Sequence, residues 1–195
     1  MGAAAAQQSG STAPIYTVEV IVFRASGSLG GAEEWAVEGR RASAPGEDDT
    51  AAPNAAAANT GRLLAGLPVA DFKLREVEAR LRASGGYTPI AHAAWRQTAS
   101  PWGSKVGFPL DKLGLMAAGL SGSIALERGQ YLHLALDLNY APGTPSAALG
   151  SSAGTVFVLN ESRRVKFFER NYFDHPAFGV IALVTPVQSA RQAGR

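Results

Sequence analysis

Between Tyr131 and Tyr140 the chain reads YLHLALDLNY, in which Leu132, Leu134, Leu136 and Leu138 alternate with His133, Ala135, Asp137 and Asn139. Successive residues of a strand point to opposite faces, so this spacing dictates a strand with one buried and one solvated side. A helix would scatter the four leucines around its circumference. A one-sided strand needs paired neighbours and a layer against its leucines, which commits the chain to a sheet-based core. Ser121 to Glu127 supplies a partner, with Ile124 and Leu126 as its apolar positions. A two-residue turn at Arg128-Gly129 would set Leu126 opposite Tyr131 and turn the leucines away. A three-residue loop, Arg128 to Gln130, sets Leu126 opposite Leu132 and Ile124 opposite Leu134, and is the one expected.

Tyr16 to Phe23 (YTVEVIVF) has apolar residues on both faces, as does Gly179 to Thr185 (GVIALVT). Both therefore read as central strands. Tyr87 to Trp95 reads as a strand that Pro89 confines to an edge or a late start. Thr155 to Leu159 reads as a strand, Asn160 to Arg163 as a turn, and Val165 to Phe173 as the strand leaving it. Asp71 reads as a helix N-cap and Gly85-Gly86 as the stop. Between them Leu74, Val77 and Leu81 form one apolar stripe, with Glu76–Arg80 and Glu78–Arg82 paired on the exposed side. The expected fold is α+β: a mainly antiparallel sheet of about six or seven strands with one main helix packed on it, and a split βαβ (ferredoxin-like) element at its centre.

The organisation expected is a tail or signal-peptide remnant at 1–14, one domain over 15–187, and a C-terminal tail at 188–195. Insertions at 25–59 and 142–154 are rich in small residues and read as mobile; the first holds only Trp35 and Val37 as large apolar anchors. Arg96 to Gly119 is a second irregular stretch, carrying Trp102, Phe108 and Pro109.

A net charge of +2 with scattered basic residues does not suit nucleic acid. The absence of cysteine removes disulfides, thiol catalysis and thiolate metal sites. No apolar run approaches the length of a membrane span. The start, MGAAAAQQSGSTAP, lacks the basic and apolar regions of a complete signal peptide; its alanines fit either the residue of a trimmed one or a disordered tail.

The stretch ERNYFDHPAFGV, Glu169 to Val180, concentrates polar and aromatic residues between two apolar runs. Glu169, Asp174 and His175 are the residue types of an acid/base set. No nucleophile motif stands beside them, and a structural corner, with Asp174 and Pro176 fixing a turn, explains them more simply. His92, His133 and His175 show no metal-ligand spacing, so neither a metal nor another cofactor is expected. The loop GSLGG, Gly27 to Gly31, lacks the Gly-Lys-Ser/Thr ending of a phosphate loop. Trp95 and Trp102 flank a polar stretch in the manner of aromatic faces that hold sugar rings, against the alternative that they are ordinary core. Arg163-Arg164 offers planar forks for a carboxylate or phosphate.

The blocks YTVEVIVFR (16–24), RGQYLHLALDL (128–138) and ESRRVKFFERNYFDHPAFGVIALVTP (161–186), in that order, resemble the CsiV family, periplasmic peptidoglycan-binding proteins of Gram-negative bacteria. The likeness covers residues 15 to 187 and is most specific in the last block, at the arginine pair, Glu169, Tyr172, the DHP triplet and Gly179. Asn171 stands where the family pattern often has histidine. The resemblance implies a non-enzymatic, exported protein that binds peptidoglycan and supports a peptidoglycan synthase together with its outer-membrane lipoprotein activator. The residues to test for glycan or partner contact are Arg163, Arg164, Glu169, Tyr172, His175, Trp95 and Trp102. A wall hydrolase using Glu169 with Asp174 or His175, and a protein-interaction module without glycan affinity, are the alternatives.

Overall fold

Strand β1 (Ile15–Ala25) is buried along both faces, and the other elements are arranged around it. The computed structural model describes residues 13–25, 61–143 and 154–187; the expected insertions and tails fall almost wholly outside these. After β1 come β2 (Leu63–Gly66), α1 (Arg75–Ala83), β3 (Tyr87–Thr98), β4 (Ser100–Pro101), β5 (Phe108–Pro109), β6 (Leu120–Arg128), β7 (Leu132–Tyr140), β8 (Phe157–Val165), β9 (Arg170–Asp174) and β10 (Phe178–Pro186). They form two sheets. The first runs β2-β3-β1-β10-β9; the second runs β4-β6-β7-β8, with β5 also on β6.

The two faces of β1 meet different layers. Val18, Val20 and Val22, with Trp95 of β3 and Val180, Ala182 and Val184 of β10, pack on the four β7 leucines, Ile124, Leu126 and Phe157 of the second sheet. On the other side Ile21, Phe23 and Leu183 receive Leu74, Val77 and Leu81 of the helix segment. The order is helix, sheet, sheet. Burying each leucine contributes about 1.5–3 kcal/mol, so the alternation of β7 is also one of the larger stabilising features.

Several expectations need correction. Among the described residues there are ten strands in two sheets, not six or seven in one. The additional strands β2, β4 and β5 have two to four residues, too few to carry a period. The strands on either side of the helix, β2 and β3, are antiparallel neighbours, and β1 is antiparallel to β3 as well, so the helix does not join parallel strands. The β6–β7 loop does hold three residues, but they are Gly129 to Tyr131, because Arg128 stays in the ladder opposite Leu132. Leu126 thus faces Leu134 and Ile124 faces Leu136, a shift of two that keeps every leucine on the core side. Pro89 lies inside the first sheet, opposite Phe23 at a β-bulge, on a part of β3 that β2 does not pair.

Strand β8 runs straight through Asn160 to Arg163, where a turn was expected. The chain reverses at Lys166 to Glu169, with Phe168 at φ 65°, so Glu169 precedes β9 and does not lie within a strand. Asp71 does not cap the helix. The N-cap residue is Leu74, which makes no side-chain cap bond, and Asp71 ends a preceding 3-10 turn. Gly85, at φ 69°, takes the left-handed position that stops the helix, as expected.

Gly179 sits opposite Phe23, and a Cβ built there would lie 2.5 Å from the ring's Cζ. That ring is already held between Tyr87 and Tyr172. Gly179→Ala should therefore destabilise by about 1–3 kcal/mol in urea unfolding, as overpacking does. In a Phe23→Leu background the same substitution should cost distinctly less, and an equal cost would locate the strain elsewhere.

Candidate functional site

The outward side of the second sheet carries His133, Ala135, Asp137 and Asn139 of β7, the positions between the leucines. His133 pairs across the ladder with Arg164 of β8 and with Glu127 of β6. The segment after β4 folds over this end. Glu127, 3 % exposed, accepts the N–H groups of Gly103 at 3.3 Å and Lys105 at 2.7 Å and the Ser104 hydroxyl at 3.2 Å. This buried carboxylate fixes the turn that presents Trp102. The Trp102 indole lies over the His133 ring with centroids 3.8 Å apart. Beyond His133, the Arg164 guanidinium sits 3.5 Å above the Tyr131 ring. Trp102, His133, Arg164 and Tyr131 thus make a row on one face. Trp102 is 53 % exposed and Tyr131 43 %. Among the described residues the buried Nδ1 of His133 has no hydrogen-bond partner, leaving polar capacity unused under the row.

Neighbouring strand residues point to opposite faces, so Arg163 does not join Arg164. It leans over the open edge between the sheets, donating to the Tyr172 carbonyl of β9 at 2.8 Å, pairing with Glu161, and covering the Phe173 ring at 5.1 Å. It acts as a latch between edge strands β8 and β9. Trp95 is 1 % exposed and donates its indole N–H to Gln97 at 2.6 Å, so its ring is core and cannot meet a sugar.

The corner at Glu169 to Pro176 separates its polar groups. Glu169 pairs with Lys166 at 3.4 Å on the surface, and Asn171 donates to the Glu169 carbonyl. Asp174 accepts from the Tyr172 hydroxyl at 2.8 Å. Burial against Phe23, and then that hydrogen bond, push the Tyr172 hydroxyl above the usual tyrosine range, so it is a donor and not a phenolate. His175 lies between the Phe157 and Phe178 rings, and its Nδ1 accepts the Ala177 N–H at 3.2 Å. Burial holds it below its ordinary value and therefore neutral, although Asp174 pulls the other way. No hydrogen bond or ion pair joins any two of Glu169, Asp174 and His175. The three side chains are engaged separately, and Asp174 ends β9 with its carboxylate on the Tyr172 hydroxyl, not on the backbone of the turn it was expected to fix.

A third polar group was not anticipated. Glu19 of β1, 1 % exposed, faces the helix layer and accepts the backbone N–H groups of Lys73 at 2.8 Å and Leu74 at 2.7 Å, at the mouth of α1. His92 Nε2 lies 2.9 Å from Glu19, and His92 Nδ1 lies 2.8 Å from Glu78. Two carboxylates can accept from one imidazole only when both nitrogens are protonated. Burial opposes charge on both groups. The hydrogen bonds outweigh it, holding Glu19 below 4.5 and His92 above 6.5. Glu78, read from the sequence as an exposed helix charge, is drawn inward by this contact and keeps its pair with Arg82. The one sequence signal was a glutamate in the middle of a strand with large apolar residues on both faces.

A protein-family model described as "Peptidoglycan-binding protein, CsiV" matches residues 1–187 of the chain. No curated protein matches it, and no solved structure does.

The two half-buried histidines His92 and His175 act on stability with opposite sign. His92, raised above 6.5, contributes stability that is complete below 6.5 and is lost as pH rises through its folded value. His175, lowered below 6.5, contributes stability present above 6.5 and lost as pH falls through its folded value. Urea unfolding between about pH 8 and about pH 5.5 should show the deficit of His92→Gln growing on acidification and that of His175→Gln shrinking. Parallel trends would contradict the assignment.

Proposed function

The chain belongs to the CsiV family of peptidoglycan-binding proteins, and on that premise we propose that it holds peptidoglycan on the outward face of its second sheet without chemically altering it. The observation that carries this reading is the row Trp102, His133, Arg164 and Tyr131, where exposed aromatic faces stand next to a guanidinium. An aromatic face buries the apolar side of a sugar ring. A guanidinium hydrogen-bonds carboxylate and carbonyl oxygens in its own plane. Amino-sugar strands bearing lactyl amide carbonyls and peptide carboxylates offer both kinds of surface.

The non-enzymatic part of the reading is supported by the separate engagement of Glu169, Asp174 and His175. The location in the periplasm, and the support of a peptidoglycan synthase with its outer-membrane lipoprotein activator, follow the family likeness. Among the described residues no helix is long and apolar enough to cross a membrane. Arg163, Tyr172 and His175 serve in this account as structural members of the sheet edge, with Arg164 and Trp102 as the contact residues.

Co-sedimentation with isolated sacculi over a salt series tests the proposal. The wild-type chain should pellet with the sacculi, and Trp102→Ala combined with Tyr131→Ala should weaken binding about tenfold or more, equivalent to about 1.4 kcal/mol. Both side chains are exposed, so the variant should keep its melting temperature. A wild-type chain that stays in the supernatant would refute wall binding, and an unimpaired double variant would move the site off this face.

A further inference from the structure

Helix α1 covers only part of its side of the first sheet. Next to it lies a cleft of about 270 Å³. One cross-strand row contributes to its lining: Arg96 on β3, Thr17 on β1 and Thr185 on β10 are direct neighbours. Asp71 and Lys73, from the segment that leads into α1, line it as well. Glu19 is also in the lining, but its carboxylate is already engaged by His92 and two backbone N–H groups.

Among the described residues the side chains of Asp71, Arg96, Thr17 and Thr185 take part in no hydrogen bond or ion pair. The Lys73 ammonium makes, among the described residues, only a contact with the face of Phe168, 5.9 Å from the ring centroid. Phe168 is itself held at φ 65°, a costly backbone for a bulky residue, and is 67 % exposed. The cleft therefore brings together one free carboxylate, two cations, two hydroxyls and a neighbouring aromatic ring. Its volume lies below the range of sites that enclose drug-sized molecules, so it suits a head group and not a whole sugar.

We infer that this cleft binds the zwitterionic head of an amino acid, with the ammonium toward Asp71 and the carboxylate toward Arg96 and Lys73. A simple anion would leave Asp71 unpaired beside it, and a simple cation would leave Arg96 and Lys73 so. A ligand carrying both charges answers all three. The hydroxyls of Thr17 and Thr185 supply donors to the carboxylate oxygens. A free amino acid presents this group, and so does the unlinked end of a diamino acid in a wall peptide. The cleft lies on the helix side of the first sheet, while the wall-contact row lies on the second, so either can fail without the other.

Calorimetric titration of the full chain with meso-diaminopimelate tests the inference, with pimelate and cadaverine as the matching dicarboxylate and diamine. Saturable binding of diaminopimelate alone is expected. Arg96→Ala and Asp71→Asn, both at exposed positions, should each weaken it about tenfold, as loss of a charge-assisted contact does, and Trp102→Ala should leave it unchanged. A muropeptide with a free diaminopimelyl end that binds as tightly identifies the wall peptide as a source of the head group; one that fails to bind identifies the free amino acid. Equal binding of pimelate, affinity unchanged in Arg96→Ala and Asp71→Asn, or no binding at all would overturn the inference.

Discussion

Burial of β1 on both faces is the constraint from which the other features follow. Its valines must meet an apolar layer, and the second sheet with its β7 leucines supplies it. Its odd-numbered residues must be covered too, and a helix segment with three apolar positions covers Ile21 and Phe23. Glu19 belongs to that second row. A carboxylate so placed is tolerable only when hydrogen-bonded, and its partners are the start of α1 and His92. The helix is therefore positioned by a strand residue far away in sequence and not by a local cap. The cleft beside it is the part of the same face that one short helix does not reach.

Much of this was legible in the sequence wherever one residue's period decided the outcome. The alternation of Leu132 to Leu138 gave a strand and the side on which its core lies. The two-sided apolar runs at Tyr16 and Gly179 gave the centre of the first sheet, and Leu74, Val77 and Leu81 gave the helix and its buried stripe. What escaped depends on partners distant in sequence. Nothing local says that Ser100-Pro101 or Phe108-Pro109 will pair with β6. Asn160 to Arg163 reads as polar and turn-like, yet it is an edge strand, where polar side chains are tolerated because one side has no neighbour.

The candidate site divides in the same way. Trp102 and Arg164 were singled out by type, but their companions Tyr131 and His133 emerge only from the register of β7 with β8 and from the turn that Glu127 anchors. Strand alternation separates Arg163 from Arg164, a pairing that looked like one patch while a turn was assumed there. Trp95 and Trp102 are seven positions apart, yet one is core and the other surface, because β3 continues through Trp95 and ends before Trp102. The corner around His175 has its groups engaged by the backbone and by each other, whereas the outward face of the second sheet has aromatic and cationic groups on offer.

The most direct test of that assignment is residue-resolved. Amide chemical shifts of the chain, followed during titration with a soluble disaccharide-peptide fragment of peptidoglycan, report where the glycan meets the protein. Perturbations should centre on Trp102, Gly129, Tyr131, His133 and Arg164. Perturbations confined to the corner at Tyr172 to Ala177, or absent from the second sheet altogether, would contradict it.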